Sequence, residues 1–257
     1  MKLNSKIFGD KSDDLIIIHG LFGCGDNWNM IGKRLSAFWR VHLLDLRNHG
    51  RSPHSDLFNY EVMSEDIMSY CINNNIQNPI ILGHSLGGKV AMNFAFQYPK
   101  KVKKIIIGDI APKKYPIHFH KQILKTIIDL DMKKFKSRKE VESALSNNIE
   151  NPSVRLFIMK NLYRLENREF GWRLNVEMLC KNIDKINDFC LLSGVCQVPI
   201  HFIRGSRSDY ITDEDIQNIS NYFSSVSFAT IADAGHWLHA DQPELFYNEV
   251  LRFCNTQ

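Results

Sequence analysis

The sequence predicts an α/β fold: a mostly parallel, doubly wound sheet with a helical cap, residues 113–192, inserted after the sixth strand. Three observations carry this. Short continuous apolar runs such as Leu15-Ile16-Ile17-Ile18 and Ile80-Ile81-Leu82 read as strands buried on both faces. Helically spaced apolar residues fall between these runs, which requires parallel crossovers. From 113 to 192 the strand signal vanishes and helical spacing remains (Ile123, Ile127, Leu130; Leu156, Met159, Leu162). The core is therefore expected at 1–112 and 193–257, with the cap lying over the site.

Taken in order, the first buried strand ends in His19-Gly20-Leu21-Phe22-Gly23, a loop with backbone N–H groups available at a strand end. A helix is expected at 27–38 from Trp28, Ile31 and Leu35. The strand at 41–46 runs into Arg47-Asn48-His49-Gly50-Arg51-Ser52-Pro53, whose charges are expected to knit the loop together. A helix at 63–74 leads to the apolar run at 80–82, and a strand at 102–107 ends in Gly108-Asp109-Ile110-Ala111-Pro112. After the cap come a strand at 199–203, a helix at 213–223, a strand at 227–231 and a closing helix at 243–253.

The chemistry gathers around Gly83-His84-Ser85-Leu86-Gly87. A buried strand precedes it and a helical pattern follows, so Ser85 sits at the apex of a sharp strand-to-helix turn. Small residues at 83 and 87 leave room where the two backbones approach. Leu86 N–H, at the positive end of the helix, can face a developing oxyanion. Leu21 N–H is the expected second donor, with Phe22 as its substitute. A serine hydroxyl needs a base, and the base an orienting acid. His236, in Gly235-His236-Trp237 after the last strand, is placed to be the base, and His19 and His239 are read as structural. Two acids compete. Asp209 follows the penultimate strand, but with one residue more than the usual Gly-x-x-Asp spacing from Gly205. Asp109 ends the strand after the elbow. Phe157, Leu162, Phe170, Trp172 and Met178 are the apolar cap candidates for an acyl pocket, Trp172 among the substrate contacts.

Composition narrows the class. Of 257 residues, 44% are hydrophobic and 23% charged, an ordinary globular balance with a core of useful size. The net charge of +4 comes without an aromatic-interleaved basic stripe, which argues against nucleic acid. Lys100, Lys101, Lys103 and Lys104 read as a solvated cluster beside a helix end. Six scattered cysteines without a Cys-x-x-Cys pair fit a reducing, cytoplasmic setting and call for no metal. Residues 1–14 are polar, and no window holds the ~18 apolar residues of a membrane span. No cofactor is implied.

Several stretches together carry a resemblance: His19-Gly20-Leu21-Phe22-Gly23 with Asp26-Asn27, Asp45-Leu46-Arg47-Asn48-His49-Gly50-Arg51-Ser52-Pro53, and Gly83-His84-Ser85-Leu86-Gly87-Gly88-Lys89. Asp109-Ile110-Ala111-Pro112, Trp172-Arg173-Leu174-Asn175 and Ala234-Gly235-His236-Trp237-Leu238-His239-Ala240 complete it. The chain resembles the YbfF-type esterases of the α/β-hydrolase superfamily over nearly its whole length. The resemblance implies a serine esterase for short- to medium-chain acyl esters, with acyl-CoA thioesters as companion substrates. It also implies Asp109 rather than Asp209 as the acid. A C–C bond hydrolase or haloperoxidase would share the fold and triad, and a non-catalytic ligand-binding protein would share the fold.

Overall fold

The computed structural model describes residues 1–187 and 194–256. A seven-stranded sheet contains β1 (Ser5–Phe8), β2 (Asp14–Ile18), β3 (Arg40–Leu44), β4 (Ile80–His84) and β5 (Lys104–Gly108). Two strands after the cap, β8 (Ile200–Gly205) and β9 (Val226–Ile231), complete it. The spatial order is β1-β3-β2-β4-β5-β8-β9, with β1 antiparallel and every other pair parallel. The continuous apolar runs are explained by burial on both faces. Ile16, Ile18, Ile81, Ile105 and Ile107 join one core cluster, while Leu15, Ile17, Ile80, Leu82 and Ile106 join the other. Helices α2 (Tyr60–Asn73) and α3 (Leu86–Gln97) cover the first face. α1 (Asn29–Leu35) and α10 (Pro243–Asn255) cover the second, the latter preceded by the short α9 (Leu238–Asp241). The helix α8 (Asp213–Ile219) links β8 to β9.

Two features depart from the sequence expectation. A single strand, β1, precedes β2, so the cap enters after the fifth strand of the sheet rather than the sixth. Ser5–Phe8 is half exposed and polar, with no apolar run to announce a strand; it holds its place by antiparallel pairing with β3. The cap is also not purely helical. Between α4 (His118–Ile128), α5 (Arg138–Ser146), α6 (Pro152–Met159) and α7 (Val176–Asn187) stands a short antiparallel hairpin, β6 (Leu162–Arg164) with β7 (Phe170–Trp172). Three-residue strands carry too little periodicity to register. The expected cap end at 192/193, and Cys190, lie outside the described residues.

Lys104 is not part of a solvated cluster. It opens β5, is only 8% exposed, and its Nζ donates to the carbonyls of Phe253 (3.0 Å) and Cys254 (3.3 Å) and to Thr256 O. A buried ammonium thus satisfies the orphan carbonyls at the end of α10.

The sheet reverses its winding between β2 and β4, the switch point where open α/β sheets hold ligands. There the backbones nearly touch. A Cβ on Gly83 would lie 2.2 Å from Gly87 O, and one on Gly87 would lie 2.3 Å from Ile18 O. Gly87→Ala should therefore destabilise the fold by about 3 kcal/mol or more, because only backbone could yield. Urea unfolding of the variant beside the parent chain measures this.

Candidate active site

Ser85 stands between β4 and α3 with φ 51° and ψ −118°, a strained conformation for a residue with a side chain. Its own N–H donates to Gly108 O (3.0 Å) and its carbonyl accepts from Gly88 and Lys89, so the turn is pinned from both sides. The β2 loop passes close by, since a Cβ on Gly20 would lie 3.1 Å from Ser85 Cβ. That loop is held by a Gly23 N–H to Gly20 O bond (2.9 Å), by Asn161 Nδ2 of the cap donating to Phe22 O (2.7 Å), and by Phe22 at φ 63°. Among the described residues, the Leu21 and Leu86 N–H groups donate to no backbone carbonyl. Both residues border the space at Ser85. Phe22 borders it too.

His236 Nδ1–H donates to Asp109 Oδ2 at 2.8 Å. Asp109 is fully buried, at φ 49° just beyond β5. Its carboxylate also accepts from Gly205 N–H at Oδ1 (3.3 Å) and from the Ser208 hydroxyl at Oδ2. A buried carboxylate with three donors is satisfied without a buried cation. Asp209 is exposed and is not the partner of His236. The reason is local: its neighbours Ser208 and Tyr210 turn inward and Asp209 points out. Ser208 occupies the position of the usual Gly-x-x-Asp acid, three residues after Gly205, and spends its hydroxyl on Asp109.

Sequence reasoning missed four contributors, Ser208 among them. Tyr210 stacks on the His236 ring at 3.7 Å between centroids, and its carbonyl accepts from Tyr115 OH (2.7 Å). His84, the residue before Ser85 in the turn, donates from Nε2–H to His236 O (2.7 Å), so the Ser85 turn holds the His236 backbone directly. His120, from α4 of the cap, borders both cavities that meet at Ser85. The spacing from Gly205 could have exposed Ser208, but nothing in the α4 pattern distinguishes His120.

Two cavities meet at Ser85, each bordered by Leu21, Ser85, His120 and Tyr210. One, about 590 Å³ including open space, is walled by Phe119, Ile123, Val154, Phe157 and Trp237. The other, about 390 Å³, is walled by Tyr60, Ile110, Tyr115, Ile183 and Ile186. Ser85 Oγ and His236 share the first cavity without a hydrogen bond between them; catalytic pairs of this kind tighten when substrate seats. Of the cap candidates, Phe157 lines this space. Leu162, Phe170, Trp172 and Met178 border neither cavity. Trp172 was expected to contact substrate; it lies in the hairpin, in register with Leu162, and borders neither cavity at Ser85. A larger cleft of about 890 Å³, lined by Asp13, Asp14, Lys100 and Lys103, lies at the opposite ends of the strands and holds no nucleophile.

The surrounding loops are rigid for identifiable reasons. His19 accepts from Leu46 N–H at Nε2 (3.0 Å) and donates from Nδ1–H to Gly20 O (2.8 Å), which fixes one neutral tautomer. Arg47 grips Asp66 with two bonds, 2.6 and 2.9 Å, and Asp45 accepts from Gly25 N–H and Arg51 N–H. The cap is tied to this loop where Asn175 N–H donates to Asn48 O (3.0 Å).

Comparison with known proteins gives this arrangement a family. A family model described as alpha/beta hydrolase fold matches residues 14–127. The chain is 34% identical to the sn-1-specific diacylglycerol lipase ABHD11 of Danio rerio, over 98% of this chain and 82% of that protein. The chain belongs to the esterase and lipase branch of the α/β-hydrolases. It is 27% identical to Esterase YbfF of Escherichia coli, over 94% of this chain and 92% of that one. A solved marine microorganism esterase superposes with a TM-score of 0.96 at 42% identity, covering 98% of this chain and 99% of the other.

Burial pushes the pKa values of His49 and His239 from 6.5 down to about 3, with nearby histidine charge adding to the effect. Both are therefore neutral in the folded protein while the unfolded chain takes up their protons below pH 6.5. Stability should be insensitive to these groups above about pH 7.5 and fall as pH drops from 6.5 towards 3. Urea midpoints from pH 8 to pH 5 should trace that decline, and His239→Gln should make it shallower.

Proposed function

We propose that the chain is a serine carboxylesterase acting on short- to medium-chain acyl esters through an acyl-enzyme. One observation carries the reading: Ser85 and an aspartate-paired His236 open onto the same apolar cavity, beside two unspent backbone donors. Ser85 Oγ attacks the ester carbonyl as His236 Nε2 takes its proton. The Leu21 and Leu86 N–H groups hold the oxyanion that forms. Collapse expels the alcohol, which receives the proton from His236. Water, activated by the same imidazole, then attacks the acyl-enzyme and releases the acid and Ser85. Asp109 keeps Nδ1 protonated and offsets the imidazolium charge. Acyl thioesters meet the same requirements, with a thiol as leaving group, and belong to the proposed range. The five described cysteines are free thiols, which supports a reducing, cytoplasmic setting.

Ser85→Ala should abolish turnover of p-nitrophenyl butyrate, by at least about 10⁴-fold in kcat. Asp109→Asn should cost on the order of 10³–10⁴ by leaving His236 in the wrong tautomer. Asp209→Asn should leave kcat essentially unchanged. Steady-state kinetics on the three variants decides; activity retained in Ser85→Ala would sink the reading.

A further inference from the structure

The cap contributes a polar side chain to the reaction site that the mechanism above leaves unused. Four residues border both cavities at Ser85, and three of them, Leu21, Ser85 and Tyr210, come from the core. The fourth, His120, comes from α4 of the cap and stands at the neck between the two spaces.

Three of the other histidines here are committed by hydrogen bonds: His19 braces the β2 loop, His84 holds the His236 backbone, and His236 holds Asp109. His239 leaves Nδ1 unpaired but is packed flat on Trp28 at 3.9 Å in the core layer beneath the site, and it borders one cavity where His120 borders both. His120 makes no hydrogen bond among the described residues; its ring contacts are with Phe22 and Phe119 at 6.0 and 5.9 Å between centroids. Burial, and after it the proximity of His236, pushes its pKa down to about 4. At neutral pH it is an uncharged imidazole with one N–H and one lone pair available. It is unsuited to act as the base, because Asp109 is bonded to His236 instead and a pKa near 4 is poorly matched to proton abstraction at pH 7. An uncharged donor suits an uncharged oxygen rather than a carboxylate. The walls on either side (Ile123, Val154 and Phe157; Ile110, Ile183 and Ile186) cannot distinguish an oxygenated chain from a plain one, whereas a buried hydrogen-bonding group can.

We propose that His120 is a specificity-determining residue that hydrogen-bonds a second oxygen of the substrate, so that the site favours esters bearing a hydroxyl or another carbonyl close to the scissile bond. This rests on the esterase reading of Ser85. The substrate then lies across the neck with its acyl and alkoxy arms in different cavities and its second oxygen under α4.

The test compares kcat/KM for ethyl butyrate, ethyl 3-hydroxybutyrate and glycerol monobutyrate in the parent enzyme, His120→Phe and His120→Gln. The two oxygenated esters place the second oxygen on the acyl or the alkoxy side. The parent should prefer at least one of them over ethyl butyrate by roughly tenfold or more. His120→Phe should bring that ratio close to one, and His120→Gln, which keeps an N–H donor, should recover much of it. Thermal melts of both variants exclude misfolding as the cause. A parent with no preference overturns the inference. So does a His120→Phe enzyme that keeps the ratio or loses all three esters in proportion. Failure of the parent on all three esters and on p-nitrophenyl butyrate would instead overturn the esterase reading, and this inference with it.

Discussion

Three backbone segments, the end of β2, the end of β4 and the first turn of α3, are packed so closely that no side chain fits between them. Gly83 and Gly87 are the contact points, with hypothetical Cβ atoms 2.2 and 2.3 Å from carbonyl oxygens. This steric constraint does more than bend the chain. It forces Ser85 into a left-handed conformation, which lifts its hydroxyl off the sheet edge. It brings the Gly20–Phe22 loop beside the serine, so that a donor from another strand can share its oxyanion. It also places the N-terminus of α3 directly beneath the same point. Ser85, the Leu21 and Leu86 N–H groups and the positive end of a helix dipole are gathered at one point by this close approach.

Electrostatics then singles out one imidazole among several. His19, His84, His236 and His239 line the cavity at Ser85, and His120 of the cap borders it too. Burial drives the pKa of His84 well below 6.5, and lowers those of His19, His120 and His239 too. Only His236 has a carboxylate, and that carboxylate is itself held by Gly205 and Ser208. The other histidines supply hydrogen bonds and stacking surface. A site crowded with imidazoles thus holds one that is hydrogen-bonded to a carboxylate, while burial disfavours the charged form of its neighbours.

The fold and the elbow were legible because their signals are local: apolar runs for doubly buried strands, glycines flanking a serine, a histidine after the last strand. Ser5–Phe8 was not, since an edge strand half exposed to solvent needs no apolar run. The cap hairpin was hidden by its length, since three-residue strands carry too little periodicity, and with it the place of Trp172. Which of Asp109 and Asp209 meets His236 depended on which carboxylate the fold buries, and a one-residue shift after Gly205 turns Ser208 and Tyr210 inward and leaves Asp209 exposed. Lys104 misled because a cation near a helix end was read as belonging to the nearest helix. It serves α10, about 150 residues further along the chain.

His120 shows why the cap resists sequence reading most. Its α4 neighbours Ile123, Leu124 and Ile127 are buried while Phe119 is exposed, the stripe of any amphipathic helix packed on a core. A histidine on such a stripe gains meaning only from the space it borders, and that space is shared with Ser85, more than thirty residues earlier in the chain. Ser85, His236, Asp109 and the Leu21 and Leu86 N–H groups all come from the core, at strand ends whose positions the sheet dictates. The cap supplies walls and His120 at the neck between two cavities. The residues gathered at Ser85 are thus fixed by close backbone packing, while much of the wall around them comes from helices that lie outside the sheet.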